Sequence, residues 1–195
     1  MRLLAFSDIH RDLDQARALV SMSADADAVV AAGDFGTMHR GVEKLIDMLV
    51  VIEKPTVLVP GNNETDDELR AACGGWRAAE VLHGSGRDVD GVSFWGLGGG
   101  VPVTPWPWSF DLDEASAARA LEACPVGVDV LVLHSPPQGY LDDGLGSSAI
   151  LEAIERVQPK VAVCGHIHQC AGREAAVGAT RLFNLGPAGR FIEVP

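Results

Sequence analysis

Five short apolar runs in this 195-residue chain each end in a cluster of acids, imidazoles, carboxamides or glycine. Residues 3–6 run into Asp8-Ile9-His10, and residues 28–32 into Gly33-Asp34. Residues 56–59 run into Gly61-Asn62-Asn63-Glu64, residues 128–133 into His134, and residues 161–164 into Gly165-His166-Ile167-His168. Runs this short, bounded by glycine and polar residues, read as buried strands. The amphipathic stretches at 13–23, 41–53, 65–72, 114–123 and 147–157 read as helices, with Thr65 and Glu68 offering a capping box. Strand followed by helix is the βα unit. The carboxyl ends of its strands share one sheet edge, where α/β proteins place their sites. The order of elements therefore predicts that residues far apart in sequence meet in one pocket.

The alternation breaks in two places. Residues 80–82, 88–89 and 92–97 read as short strands joined by glycine-rich turns, as in an antiparallel meander. The tail from Ala171 reads as β-hairpins ending at residues 191–194. An α/β (α+β) chain of two packed sheets with helices outside accounts for this better than one doubly wound sheet. No linker interrupts residues 1–195, so one domain is expected. Residues 98–108 form the most unusual loop. Its prolines bar regular structure, and Trp106 and Trp108 are costly to expose. It reads as a packed surface loop, or as a lid or wall beside a substrate.

A net charge of -12 argues against a nucleic-acid partner, which needs clustered Lys and Arg. It leaves room for a small phosphorylated substrate, because bound metal ions reverse the local field. No apolar run approaches a membrane span. The amino-terminal stretch reaches Asp8, His10, Arg11 and Asp12 too early to hold a signal-peptide core, so a cytoplasmic protein is expected. Cys73, Cys124, Cys164 and Cys170 form no CxxC pair and read as reduced thiols.

The five clusters hold four of the six histidines. Taken singly, each has a structural reading as a turn, a helix cap or a satisfied core histidine; five such accidents after five strands are improbable. Mixed carboxylate and imidazole donors suit manganese, iron or zinc better than calcium. Two divalent ions would bring four positive charges, of which Asp8 and Asp34 offset two. The site would stay cationic, suited to a hydroxide and an anionic phosphate.

These residues resemble the calcineurin-like metallophosphoesterase superfamily, whose pattern runs D-x-H, GD, GNH-D/E, H and GHxH. The likeness spans almost the whole chain. Residues 98–108, His134-Ser135-Pro136-Pro137, Gly146-Ser147 and residues 184–190 are also similar to a branch of small bacterial and archaeal phosphoesterases. The resemblance implies a four-layer αββα sandwich of two mixed sheets flanked by helices. It implies one divalent ion held by Asp8, His10, Asp34 and His168, and a second held by Asp34, Asn62, His134 and His166. Manganese is the expected ion, with iron, zinc, magnesium or nickel as other occupants. A hydroxide between the ions would attack phosphorus in line with the leaving oxygen.

The chain departs from that pattern at Asn63, where the family has a histidine that contacts the phosphate and helps protonate the leaving group. An amide donates a hydrogen bond but delivers no proton. Loss of general-acid help costs about two to four powers of ten in rate. Three readings follow: substrates whose leaving groups need little protonation, another donor such as His39, or a metal-binding scaffold for protein partners. His39 also reads as an exposed loop residue. The altered donor favours a phosphodiesterase over a general phosphomonoesterase. A pyrophosphatase acting on a nucleotide- or lipid-linked substrate is a further reading, with the Trp106/Trp108 loop as an apolar wall. The same loop could bury a homodimer contact.

Overall fold

A computed structural model describes residues 1–195. The first half supplies β1 (Arg2–Phe6), α1 (Leu13–Ser23), β2 (Ala28–Ala31), α2 (Val42–Leu49), β3 (Thr56–Leu58), α3 (Asp66–Ala72) and β4 (Ala79–Val81). The second supplies β5 (Ser85–Val89), β6 (Val92–Leu97), α4 (Glu114–Glu122), β7 (Val130–Leu133), α5 (Ser148–Val157), β8 (Val161–Cys164), β9 (Glu174–Val177), β10 (Thr180–Asn184) and β11 (Arg190–Glu193).

Two sheets result, ordered β11-β1-β2-β3-β4 and β5-β6-β7-β8-β10-β9. Both are mixed. In the first, only β11 runs antiparallel to its neighbour; in the second, β5 and β9 do so at the two edges. Strand alternation divides the apolar residues among three cores. Leu4, Phe6, Val29, Ala31 and Leu58 face α1–α3, packing with Leu19, Leu45, Leu49 and Leu69. Leu3, Ala5, Val30, Val57, Val132, Val163 and Phe183 face inward and join the sheets. Leu131, Leu133, Ala162 and Leu182 face α4 and α5, packing on Leu121, Ile150 and Ile154. Three apolar layers separate four layers of structure, so the αββα sandwich holds.

Helix starts follow local chemistry. Asp12, Asp113 and Ser147 cap α1, α4 and α5 by accepting from backbone N–H groups in the first turn. Thr65 and Glu68 form the expected capping box on α3. The expected helix at 41–53 is shorter: α2 stops at Leu49, where the β-branched run Val50-Val51-Ile52 begins.

Two sheet assignments need correction. The expected meander does not form: β4 pairs parallel with β3 in the first sheet, and only β5 and β6 form an antiparallel hairpin in the second. The tail is half hairpin. β9 and β10 pair as expected, but β11 crosses to the first sheet and lies antiparallel to β1. All four cysteines are free and buried, and Cys164 faces the outer core. No helix is long and apolar enough to cross a membrane.

Candidate metal centre

The loops after β1, β2, β3, β7 and β8 converge. Asp8, His10 and His168 each offer a ligand atom within 4.8 Å of the other two; Asp8, Asp34 and His134 do the same. Asp34 lies between the two groups. Its Oδ2 is 3.5 Å from His10 Nε2, and its Oδ1 is 3.5 Å from His134 Nε2. Asn62 Oδ1 lies 3.2 Å from His134 Nε2 and 3.1 Å from His166 Nδ1. His10 Nε2 and His168 Nε2 face each other at 3.1 Å. All seven candidate ligands therefore meet at one place, with Asp8 belonging to both compact groups and Asn62 and His166 adjoining through His134.

Each donor is aimed by a partner behind it. His10 Nδ1 faces the Gly36 carbonyl at 3.1 Å and His134 Nδ1 faces the Ala32 carbonyl at 2.7 Å, which turns both Nε2 atoms inward. Asn62 Nδ2 donates to Ser109 Oγ, which donates to Asp111, so the amide oxygen is the atom that faces the cluster. Ser7 Oγ donates to Asp8 and accepts from Gly186 N–H. Asn63 holds both oxygens of Asp34, with its backbone N–H on Oδ1 at 2.9 Å and its amide Nδ2 on Oδ2 at 2.8 Å. Glu64 is wholly buried and accepts from the N–H groups of Asp34, Gly36 and Gly61, tying two strand-end loops together. The glycines have steric reasons. A Cβ on Gly61 would collide with Asp34, and one on Gly165 with Asp8 and Ser7.

Asp8, Asp34 and Glu64 are all buried, and none is paired with Lys or Arg. Buried carboxylates need counter-charge or a metal ion, and the only cationic side chains near Asp8 and Asp34 are imidazoles. His10 and His168 also bring two potential ligand nitrogens within 3.1 Å of each other. The residues present therefore fit a pair of divalent cations. Without them, burial would push Asp8 up, but hydrogen bonding to His168 and Ser7 and the nearby imidazoles win and lower it to about 2. Burial and the Asp34 charge push Glu64 up to about 7. Burial and the neighbouring His134 lower His166 to about 4. Burial would also lower His134, but the charges of Asp34 and Asp8 raise it. His168 is raised by Asp8.

The cluster borders a cavity of about 510 Å³, which His10, Asp34, Asn62, His166 and His168 help to line. Asn63 lines it; no Lys or Arg does. Pro102, Val103, Pro105, Trp106, Trp108 and Leu145 form an apolar wall, on which the two indoles stack within 13° of parallel. The loop at 98–108 is thus a wall beside the cluster. His39 is not brought to the cluster. Its ring nitrogens meet Glu68 and the Trp108 carbonyl, and it does not line the cavity. Sequence reasoning missed Ser7, Ser109 and Asp111, common polar residues whose roles depend on partners distant in sequence. Glu64 was visible only as the end of its motif.

Among proteins of known sequence, UPF0046 protein K07C11.7 of Caenorhabditis elegans is 28% identical over 196 residues, covering 88% of this chain and 65% of that protein. The human metallophosphoesterase domain-containing protein 1 is 37% identical over 83 residues, which cover 37% of this chain and 26% of that protein. The chain thus spans less than two thirds of the length of these relatives. Among solved structures, TT1561 of Thermus thermophilus superposes with a TM-score of 0.80 at 18% identity, covering 96% of this chain and 90% of that one, which establishes a shared fold. The family model for the calcineurin-like phosphoesterase superfamily domain matches residues 1–193, and with the ligand geometry above it identifies this chain as a member of that superfamily.

Proposed function

We propose that the protein is a metal-dependent phosphoesterase acting on small phosphodiesters. Asp8, His10, Asp34 and His168 would hold one ion, and Asp34, Asn62, His134 and His166 the other, with manganese as the expected metal. The observation that carries this reading is two buried carboxylates, Asp8 and Asp34, clustered with four imidazoles beside a cavity that no Lys or Arg lines. Bound divalent ions would supply Lewis-acid stabilisation of the phosphoryl oxygens and lower the pKa of the attacking water.

The chain's own groups set the substrate's charge and orientation. Positive charge in the cavity has no side-chain source other than imidazole. Two divalent ions leave two positive charges over those of Asp8 and Asp34. A monoanionic diester and one activated water balance them; a dianionic monoester exceeds them. Asn63 supports the same choice. Its amide can orient a phosphoryl oxygen or hold Asp34, but it cannot protonate a leaving oxygen. The apolar wall from Pro102 to Trp108 gives an organic arm of the diester a surface to lie on and keeps water from that side of the cavity.

The test is hydrolysis of bis-p-nitrophenyl phosphate and p-nitrophenyl phosphate by manganese-loaded protein. Faster turnover of the diester is expected; no turnover of either substrate with metal verified as bound would remove the proposal. Asn63→His should raise the monoester rate, by about tenfold or more if the missing proton limits it.

A further inference from the structure

His39 sits at the tip of a tight turn with an unusual backbone. Thr37 and Arg40 close it through two hydrogen bonds of 3.1 Å each, while Met38 and His39 both lie in the left-handed region at φ 48° and 61°. Non-glycine residues take that conformation at a cost, and hold it only where the surroundings enforce it. Asn63 enforces it here: its Oδ1 accepts from Met38 N–H at 2.9 Å, and its carbonyl accepts from His39 N–H at 2.8 Å. The residue at which this chain departs from the family pattern thus presents His39 to the tryptophan loop.

The ring meets an acceptor on each side. Nδ1 lies 2.8 Å from Glu68 Oε2 and Nε2 lies 2.5 Å from the Trp108 carbonyl oxygen. A carbonyl has no proton to give, and Glu68 is held below the usual carboxylate range. Both contacts can be hydrogen bonds only if both ring nitrogens carry protons, however the ring is turned. A neutral imidazole satisfies one acceptor and sets a lone pair against the other.

We propose that His39 is a positioning residue that, as an imidazolium, latches the Trp106–Trp108 wall in place over the cavity and releases it on losing its proton. The assignment rests on the proposed role of that wall as the seat for the substrate's organic arm. The latch also touches the metal centre indirectly. Ser109, next to Trp108, receives the Asn62 amide proton, and Phe110 N–H donates to the Asn62 carbonyl.

The charges around His39 all favour its charged form. Glu68 on α3 faces it directly, the buried Glu64 acts from behind, the tryptophan loop contributes a carbonyl, and no Lys or Arg is paired with either partner. These contacts outweigh partial burial and raise His39 above its ordinary value of 6.5. A raised histidine keeps its contact below the folded pKa and loses it as pH rises through that value. The latch is therefore closed below the raised pKa of His39 and opens as pH rises through it.

The experiment is a pH titration of tryptophan fluorescence on the metal-loaded full chain, alongside KM and kcat for bis-p-nitrophenyl phosphate. Wild type should show a step with a midpoint above 6.5. KM should rise about fivefold across the same step with kcat little changed, as for loss of one hydrogen bond to a charged, partly exposed group. His39→Gln should abolish the step and hold KM at its alkaline value. Glu68→Gln retains the capping oxygen and should move the step to lower pH. His83, which lies against Phe110 in the same loop, is lowered from 6.5 by burial and cannot supply the step. A step that survives His39→Gln, or a midpoint unmoved in Glu68→Gln, overturns the latch. Absence of turnover strikes the proposed activity instead and leaves the fluorescence titration to decide the latch.

Discussion

Four of the seven candidate ligands sit in backbone conformations that side chains avoid. Asp8, His10, Asp34 and His166 have φ of 56°, 47°, 60° and 67°. Each costs on the order of 1 kcal/mol or more, and each is held by bonds from the next strand-end loop. Asp8 N–H donates to the Gly33 carbonyl, His10 N–H to the Asp34 carbonyl, and His166 N–H to the Asp8 carboxylate. The strain aims short side chains at one another, and the hydrogen bonds behind them fix which atom points inward. Asn62 is the clearest case, because an amide presents either an oxygen or an NH2. Ser109 takes the NH2 and leaves the oxygen for an ion. Ser109→Ala frees the amide to flip and should weaken binding at the ion site that includes Asn62 by about 10- to 100-fold. The other ion site should be little changed. A metal titration against a competing chelator separates the two sites; equal affinity in wild type and variant would show that Ser109 does not orient Asn62.

Elements explain why the ligand set was legible in the sequence while part of the fold was not. A donor just past an apolar run can be placed without its partners, since every parallel strand delivers its end to the same edge. Thus Asp8, Asp34, Asn62, His134 and His166 could be put together from local signals alone. Partner choice among strands is nonlocal. β4 has three residues and turn signals on both sides, and nothing in it distinguishes pairing with β3 from pairing with β5. β11 finds β1 at the opposite end of the chain. The surroundings of His39 were illegible for a related reason: its partner Trp108 lies 69 residues away. Packing between elements is equally exacting at Gly61, where the loop after β3 presses on the loop after β2 with no room for a Cβ beside the Asp34 carboxylate. Gly61→Ala should destabilise the metal-free protein by about 1–3 kcal/mol through overpacking. It should also impair ion binding by displacing Asp34. Gly74→Ala, where an added Cβ meets nothing within 4 Å, is the matched control. Thermal melts of both metal-free variants check this, and a Gly61→Ala melt no lower than the control would refute the close approach.

Across the whole molecule, the metal centre joins the two sheets, so ion binding and global stability are linked. The first sheet supplies Asp8, His10, Asp34 and Asn62, and the second supplies His134, His166 and His168. An ion held by both sheets is lost on unfolding. At a hundredfold excess over Kd it stabilises by about 2.7 kcal/mol, which for a chain of this size raises Tm by roughly 5 to 11 °C. The pH dependence has a definite sign. His134 and His168 are raised in the metal-free fold, so their contribution is present at low pH and lost as pH rises through their folded values. Glu64, raised to about 7, is more easily kept protonated in the fold than in the unfolded chain, so it also withdraws stability as pH rises from its ordinary value of 4.5 towards 7. His166, lowered to about 4, is already neutral and needs no deprotonation to bind. Asp8, lowered to about 2, changes only in stronger acid. In metal-free protein Glu64, His134 and His168 therefore withdraw stability as pH rises, while His166 adds stability between about pH 4 and its ordinary 6.5, so the net loss from these groups falls above 6.5. Bound ions compete with protons for the same imidazoles and hold better as pH rises. The Tm difference between metal-loaded and chelator-treated protein should widen from pH 6 to pH 8, as differential scanning calorimetry would read directly. A difference that narrows over that range would mean that the imidazoles are not the groups the ions displace protons from.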